Sequence, residues 1–172
     1  MMNRSKKSLL AGLILLIGLG SSAFSQSIKF TAKDIYNKNV TESIFADSKL
    51  TMVNIWGTFC GPCIKEMPDL GKLNQQYNNK DFQIVGIVVD SVNSRGMMVP
   101  KTVESAKKIV TTTGADYIHI VPDSNLINGI LEDVYAVPTT IFVDSKGNIV
   151  GKVYTGSRSY DDWKKIIDSL LK

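Results

Sequence analysis

Apolar residues in this chain fall into short continuous runs and into longer stretches where they recur every three or four positions. The continuous runs are rich in Val and Ile and are five to nine residues long, which predicts buried β-strands. The predicted strands are 50–56, 82–90, 117–121, 139–144 and 148–154, with weaker strand signals at 28–30 and around Val40. Gly147 lies between the last two runs and can supply a positive φ, which predicts a hairpin turn.

The periodic stretches predict amphipathic helices. Apolar side chains recur at helical spacing between Pro62 and Tyr77, and Pro62 suits a first helical turn because its missing N–H needs no partner there. The other helical patterns are 101–113, a turn near 125–131, and 160–171. Helices that separate buried strands indicate parallel pairing, and the hairpin adds antiparallel strands. The predicted fold class is α/β, with a central mixed β-sheet flanked by helices on both faces.

The N-terminus has a separate pattern. Three basic residues precede an apolar run over 9–20, and residues 23–25 form a small-x-small cleavage motif. The apolar run is shorter than the about 17 to 25 residues that a membrane-spanning helix needs. We therefore expect residues 1–25 to be a signal peptide, either cleaved or retained as a membrane anchor. Residues 26–172 are expected to form one domain.

Charge gives little indication of a binding partner. The chain has 20 basic and 16 acidic residues, and three of the basic residues lie within the first 25 positions. The remaining domain is therefore nearly neutral, with 17 basic and 16 acidic residues. Nucleic-acid binding would require clustered Lys and Arg. We expect a monomer that binds no nucleic acid.

The two cysteines, Cys60 and Cys63, are the strongest chemical signal in the chain, and three uses of such a pair must be weighed. A structural disulfide is disfavoured because closing so short a loop stabilises a protein little. A structural zinc site needs four ligands, and the chain has no other Cys and one histidine, His119, within a predicted strand. Haem attachment is excluded because Ile64, not His, follows Cys63. A redox couple is the favoured use.

The position of the pair suits a redox couple. Cys60 follows a predicted strand and precedes the helix that starts near Pro62, where free N–H groups and the helix dipole favour a thiolate. Cys63 lies in the first helical turn, within reach of a mixed disulfide on Cys60. Cys60 is thus the expected nucleophile and Cys63 the resolving thiol.

The segments "VNIWGTFCGPCIKEMP" and "YAVPTTIFVDSKGNIV" together resemble the thioredoxin fold, and more narrowly the TlpA/ResA-like extracytoplasmic thiol–disulfide oxidoreductases. The similarity covers roughly residues 28–171. It implies a cis peptide bond between Val137 and Pro138, facing the cysteines, with the Val137 backbone free to pair with an extended substrate. Trp56 and Phe59 are expected to flank the reactive sulfur as an apolar contact patch for substrate, with core packing as the alternative for Trp56. The Gly61–Pro62 pair is expected to contact substrate as well.

Two residues differ from cytosolic thioredoxins in a way that matters for proton transfer. Asn54 stands where those proteins have a buried Asp, and it cannot exchange a proton. The resemblance to the ResA-like group implies that Glu66, three residues after Cys63, holds or relays the proton of Cys63. The alternative for Glu66 is a solvated helix residue. His119 is expected to be a strand residue and not a catalytic base.

The expected function is reduction of disulfides in exported proteins. The Gly–Pro pair between the cysteines is the one found in reducing thioredoxins, but a disulfide oxidase or isomerase remains an alternative, since modest electrostatic changes alter the direction of exchange. A peroxidase of the peroxiredoxin kind is disfavoured because Gly57 stands where that family has Thr. A non-enzymatic copper-delivery or docking module is the other alternative.

The expected partners follow from the location outside the cytoplasm. The resemblance implies a membrane thiol donor of the CcdA or DsbD type, with apocytochrome c, a methionine sulfoxide reductase or other exported proteins as substrates. No cofactor is expected beyond the Cys60–Cys63 disulfide itself, and no metal.

Overall fold

A computed structural model of the chain describes residues 27–172. The expected signal peptide over 1–25 lies outside these residues. The strands are β1 (Thr31–Asp34), β2 (Asn39–Thr41), β3 (Leu50–Trp56), β4 (Phe82–Val88), β5 (Ile118–Val121), β6 (Thr139–Asp144) and β7 (Ile149–Thr155). The helices are α1 (Gly61–Gln76), α2 (Pro100–Thr113), α3 (Ser124–Ile127) and α4 (Tyr160–Leu170), with 3₁₀ helices at Glu42–Asp47 and Val89–Ser91.

The strands form one mixed sheet in the order β2-β1-β5-β4-β3-β6-β7. Strands β3, β4 and β5 are parallel, and the remaining pairs are antiparallel. Every residue of β3 is buried, as its continuous apolar run predicts for a strand covered on both faces. The mixed α/β fold predicted from the sequence is confirmed.

The two faces of the sheet are covered differently. Alternate side chains of β3 point to opposite faces. Val53 and Ile55 pack with the first 3₁₀ helix and α3, whereas Met52 and Trp56 belong to clusters that contain apolar residues of α1, α2 and α4. The three long helices therefore share one face, and the two short helical segments cover the other.

The segment before β1 departs from the expectation. Residues 28–30 were predicted as a strand, but β1 begins only at Thr31. Ile28 and Phe30 are nevertheless buried, and the Ile28 N–H donates to the Gly147 carbonyl in the hairpin turn. The apolar residues at 28 and 30 thus cover the sheet instead of extending it.

The turn predicted near 125–131 is a shorter helix, α3, that begins one residue earlier. Asp123 caps it by accepting a hydrogen bond from the Leu126 N–H at 2.9 Å. The other oxygen of the same carboxylate accepts from the Thr31 N–H at 3.0 Å, which fastens α3 to β1. The spacing of apolar residues along the chain cannot show that one carboxylate both caps α3 and accepts a hydrogen bond from β1.

Candidate active site

The two cysteines lie where β3 leads into α1. Cys60 is the N-cap residue of α1, and the Cys63 N–H points at its Sγ at 3.2 Å. The two residues form a disulfide with Cα atoms 5.3 Å apart. Gly61 and Pro62, between them, are exposed at the start of the helix. The helix N-terminus places its partial positive charge next to the Cys60 sulfur.

Access to the two sulfurs is unequal. Cys60 is 6% exposed and Cys63 is 1% exposed, so a partner molecule reaches Cys60 first. The Val137–Pro138 peptide bond is cis, and the Val137 carbonyl oxygen lies 3.5 Å from the Cys60 Sγ. The sequence expectation that Val137 and Pro138 face the Cys pair therefore agrees with the geometry.

Phe59 forms the exposed edge of the site. Its side chain is 71% exposed and lies over Gly57, where an added Cβ would come within 2.6 Å of the Phe59 ring. The intervening Thr58 is held by Asp90, which accepts from the Thr58 N–H at 3.0 Å and from its hydroxyl at 2.5 Å. Phe59 thus projects from a turn whose backbone is fixed at Thr58.

A groove of about 650 Å³ runs from Phe59 and Val137 along the neighbouring loops. Its apolar lining includes Val89, Val92 and Leu131, and Tyr135, which is 90% exposed, stands at its rim. Two aromatic side chains with few internal contacts therefore border an apolar groove next to Cys60.

For Trp56 the structure favours the alternative of core packing over substrate contact. Trp56 is fully buried at the end of β3, in the same apolar cluster as Cys60 and Cys63. Its indole N–H donates to His119 Nδ1 at 3.1 Å. The side chain points inward because Trp56 is on the face of β3 that the long helices cover.

His119 is a buried strand residue, as expected. Its Nε2 lies 3.0 Å from the Ala115 carbonyl, so with Nδ1 accepting from Trp56 the proton is on Nε2. Burial lowers the pKa of His119 to about 4, and the imidazole is neutral at neutral pH. Gly86 makes room for this pair, since a Cβ there would lie 2.3 Å from His119 Nδ1.

Glu66 is not a solvated helix residue. It is 4% exposed, and its Oε1 accepts from Asn54 Nδ2 at 3.3 Å. Its Oε2 accepts from the Arg158 backbone N–H at 3.1 Å and from Trp163 Nε1 at 3.4 Å. Burial raises the pKa of Glu66 above its ordinary value, although these three hydrogen bonds act in the opposite direction.

The contacts of Glu66 with Arg158 and Trp163 were missed in the sequence. Trp163 is recognisable only as part of the apolar face of α4, and nothing in the residues around Arg158 indicates a contact with α1. The Arg158 guanidinium lies 5.0 Å from the Tyr154 and Trp163 ring centroids, which holds this loop in place. Both contacts arise from tertiary packing.

Within residues 27–172, no cluster of three His, Cys, Asp or Glu side chains could hold a metal ion. No helix in the same part of the chain has the length and hydropathy to cross a membrane.

Comparison with curated proteins finds thiol–disulfide oxidoreductases. The chain is 26% identical over 132 residues to thiol-disulfide oxidoreductase ResA of Bacillus thuringiensis, an alignment that covers 72% of this chain and 65% of that protein. It is 28% identical over 131 residues to thiol:disulfide interchange protein HelX of Rhodobacter capsulatus, covering 76% and 66%. The chain thus spans about two thirds or slightly less of the length of these relatives.

Comparison with solved structures supports the same fold. A thiol:disulfide interchange protein of the thioredoxin family from Chlorobium tepidum superposes with a TM-score of 0.68 at 25% identity, covering 85% of this chain and 95% of that one. The resemblance to thioredoxin-fold, ResA-like proteins is therefore confirmed. The Redoxin family model matches residues 20–166, and the chain belongs to the Redoxin family.

Proposed function

We propose that this protein is an extracytoplasmic thiol–disulfide oxidoreductase that reduces disulfides of exported proteins. The observation that carries the proposal is the arrangement of Cys60 and Cys63 at the N-terminus of α1, beside Val137 and cis-Pro138. The names of the ResA and HelX relatives support this class of reaction. The reaction needs no cofactor other than the cysteine pair.

The exchange proceeds in two steps. The Cys60 thiolate attacks one sulfur of the substrate disulfide, forming a mixed disulfide and releasing one substrate thiolate. Cys63 then loses its proton and attacks Cys60 Sγ, which forms the Cys60–Cys63 disulfide and releases the second substrate sulfur as a thiolate. Two electrons pass to the substrate, and the Cys63 proton ends on a released thiolate.

Glu66 is proposed to accept the Cys63 proton during the second step. It lies one helical turn after Cys63, is shielded from solvent, and has a raised pKa caused by burial. A carboxylate with a pKa closer to neutrality is a better proton acceptor at physiological pH than a solvated one. Glu66 accepts this proton in its ionised form and passes it to the released substrate thiolate, which leaves Glu66 ionised for the next cycle.

Substrate contacts are proposed for the exposed residues around Cys60. Phe59, Gly61 and Pro62 surround the sulfur, and the Val137 backbone next to Pro138 can pair with an extended segment. The apolar groove beside Phe59 suits an unfolded or extended polypeptide that carries an apolar side chain near its cysteine.

The proposal also includes export of the chain and reduction of the Cys60–Cys63 disulfide after each cycle. Residues 1–25 direct the chain across the membrane, either as a cleaved signal or as an anchor. A reductase in an oxidising compartment must receive electrons from a membrane thiol donor, for which a CcdA- or DsbD-type protein is proposed. Apocytochrome c and methionine sulfoxide reductase are candidate substrates.

The reduction potential of the Cys60–Cys63 couple tests the direction of exchange. The purified protein is equilibrated with glutathione or dithiothreitol buffers, and the fraction oxidised is measured by thiol alkylation. A potential at or below about −250 mV is expected, in the range of reducing thioredoxins. A potential near about −120 mV, as in a strong oxidant, would overturn the reductase assignment.

A further inference from the structure

The hydrogen bonds around the Glu66 carboxyl group are unusual because the backbone N–H of Arg158 and the indole N–H of Trp163 both point at Oε2. Both groups are donors only. They suit a carboxylate, but neither can accept a hydrogen bond from a protonated carboxyl group. The proton of a neutral Glu66 therefore belongs on Oε1, which faces Asn54.

Asn54 can serve both states of Glu66 because a carboxamide has a donor end and an acceptor end. Its Nδ2 lies 3.3 Å from Glu66 Oε1 and 3.3 Å from Thr140 Oγ1, directly across the β3–β6 ladder. Its Oδ1 is buried, and the described residues supply no hydrogen-bond partner for it. The side chain thus satisfies an ionised Glu66 and leaves its own acceptor unused.

We propose that Asn54 is a positioning residue for the proton of Glu66, and that its carboxamide turns by about 180° when Glu66 is protonated. Oδ1 then accepts the hydrogen bond from Glu66 Oε1–H, and the Thr140 hydroxyl, which accepted from Nδ2, donates to Oδ1 instead. No bond is formed or broken besides the O–H bond of Glu66. The inference rests on the proton-holding role of Glu66 in the proposed function. The turn of the Asn54 carboxamide can nevertheless be measured without a substrate.

Two other titratable groups lie near Glu66. The Arg158 guanidinium packs over the Tyr154 and Trp163 rings, and burial together with the nearby Glu66 carboxylate raises the pKa of Tyr117. Cys63, one helical turn before Glu66, does not titrate while it is in the disulfide. In the oxidised protein a titration at this place above the pKa of His119, about 4, therefore reports Glu66.

The test is a pH titration of the oxidised protein by NMR, followed at the Glu66 carboxyl carbon and at the side-chain NH₂ group of Asn54. Both signals are expected to shift with the same midpoint. The side-chain NH₂ of Asn74 is the control within the same spectra, because its Oδ1 accepts from the Ile84 N–H at 2.7 Å, away from Glu66. An Asn54 signal that stays constant while Glu66 titrates would overturn the proposal.

Glu66→Gln provides a second test that uses no titration. Its amide oxygen can keep the hydrogen bonds from Arg158 and Trp163, so its NH₂ group faces Asn54 as a protonated Glu66 would. The Asn54 signal is expected to take the low-pH position of the unmodified protein at every pH. If it takes the high-pH position instead, the turn of the carboxamide does not occur. Because neither experiment involves exchange with a substrate, an oxidising potential would overturn the reductase assignment and leave this inference standing.

Discussion

The outer and inner sides of the Cys60–Cys63 disulfide differ in almost every physical respect. The outer side consists of exposed groups with few internal contacts, namely Phe59, Gly61, Pro62 and the rim of the groove. The inner side consists of buried polar side chains in specific hydrogen bonds, namely Asn54, Trp56, Glu66, His119 and Thr140. Under the proposed function, the exposed outer side would bind substrate polypeptides, and the buried inner side would hold the proton of Glu66.

This difference separates recognition from reactivity. Substitutions on the outer side should change how well a substrate binds and leave the stability of the fold almost unchanged. Substitutions on the inner side should change stability, proton transfer or both, because each removes a partner of a buried polar group.

The largest effect is expected from the resolving thiol. Cys63→Ser removes the second step, so turnover should fall by at least roughly 1000-fold, as expected for loss of a catalytic nucleophile. A mixed disulfide between Cys60 and the substrate should accumulate and be visible by non-reducing electrophoresis and mass spectrometry. Cys60→Ser is the matched control and should form no such adduct. An adduct with Cys60→Ser and none with Cys63→Ser would reverse the assigned roles.

Glu66→Gln should slow the resolving step by about 100-fold near pH 7, the scale of removing a general base. The same change should alter stability in a pH-dependent way. Because burial raises the pKa of Glu66, the folded protein binds this proton more tightly than the unfolded chain. The contribution of Glu66 to the free energy of unfolding is full below the unfolded pKa and is lost as pH rises through the folded pKa. Chemical denaturation as a function of pH should show this loss in the unmodified oxidised protein and not in Glu66→Gln.

His119→Phe should act on stability with the opposite pH dependence. The pKa of His119 falls from 6.5 to about 4 on folding, so the unfolded chain binds the proton more tightly. The unmodified protein should lose up to roughly 3 kcal/mol of stability as pH falls from 6.5 to about 4, and His119→Phe should lose this dependence. At pH 8 the variant should be destabilised by about 1–3 kcal/mol, since the Trp56 indole N–H loses its acceptor. Equal stability of the two proteins at pH 8 would contradict the importance of that hydrogen bond.

Phe59→Ala should have the smallest effect, confined to substrate binding. KM for a protein disulfide should rise by about 10-fold, in line with loss of an interface aromatic, while kcat changes little. The free energy of unfolding should remain within about 0.5 kcal/mol because the ring is largely exposed. Tyr135→Ala tests the far rim of the same groove. A large stability change in Phe59→Ala would show that the ring supports the turn instead of the substrate.

The central fold was predictable because its signals are local. The apolar runs of β3 and β4 and the helical spacing of α1 each report burial within one element, and the structure confirms all three. Residues 28–30 were misassigned because burial alone does not distinguish a strand from an extended segment that packs across the sheet.

The inner side of the site was only partly predictable. The spacing of Cys63 and Glu66 follows from the sequence, but the partners of Glu66 at Arg158 and Trp163 lie 92 and 97 residues away. The sequence could not decide between substrate contact and core packing for Trp56 for a related reason, because an aromatic residue near a reactive cysteine can face either side of its strand. Which side it faces depends on the helices that cover the sheet.

The distant origin of these partners has a consequence for biosynthesis. Every polypeptide is synthesised from its N-terminus, so the cysteine pair and Glu66 are made long before the loop containing Arg158. Until the segment through Trp163 has been synthesised and folded, the Glu66 carboxylate lacks two of its three hydrogen-bond donors. A nascent chain therefore has both cysteines before the hydrogen bonds around Glu66 can form, and these surroundings are complete only when synthesis is nearly finished.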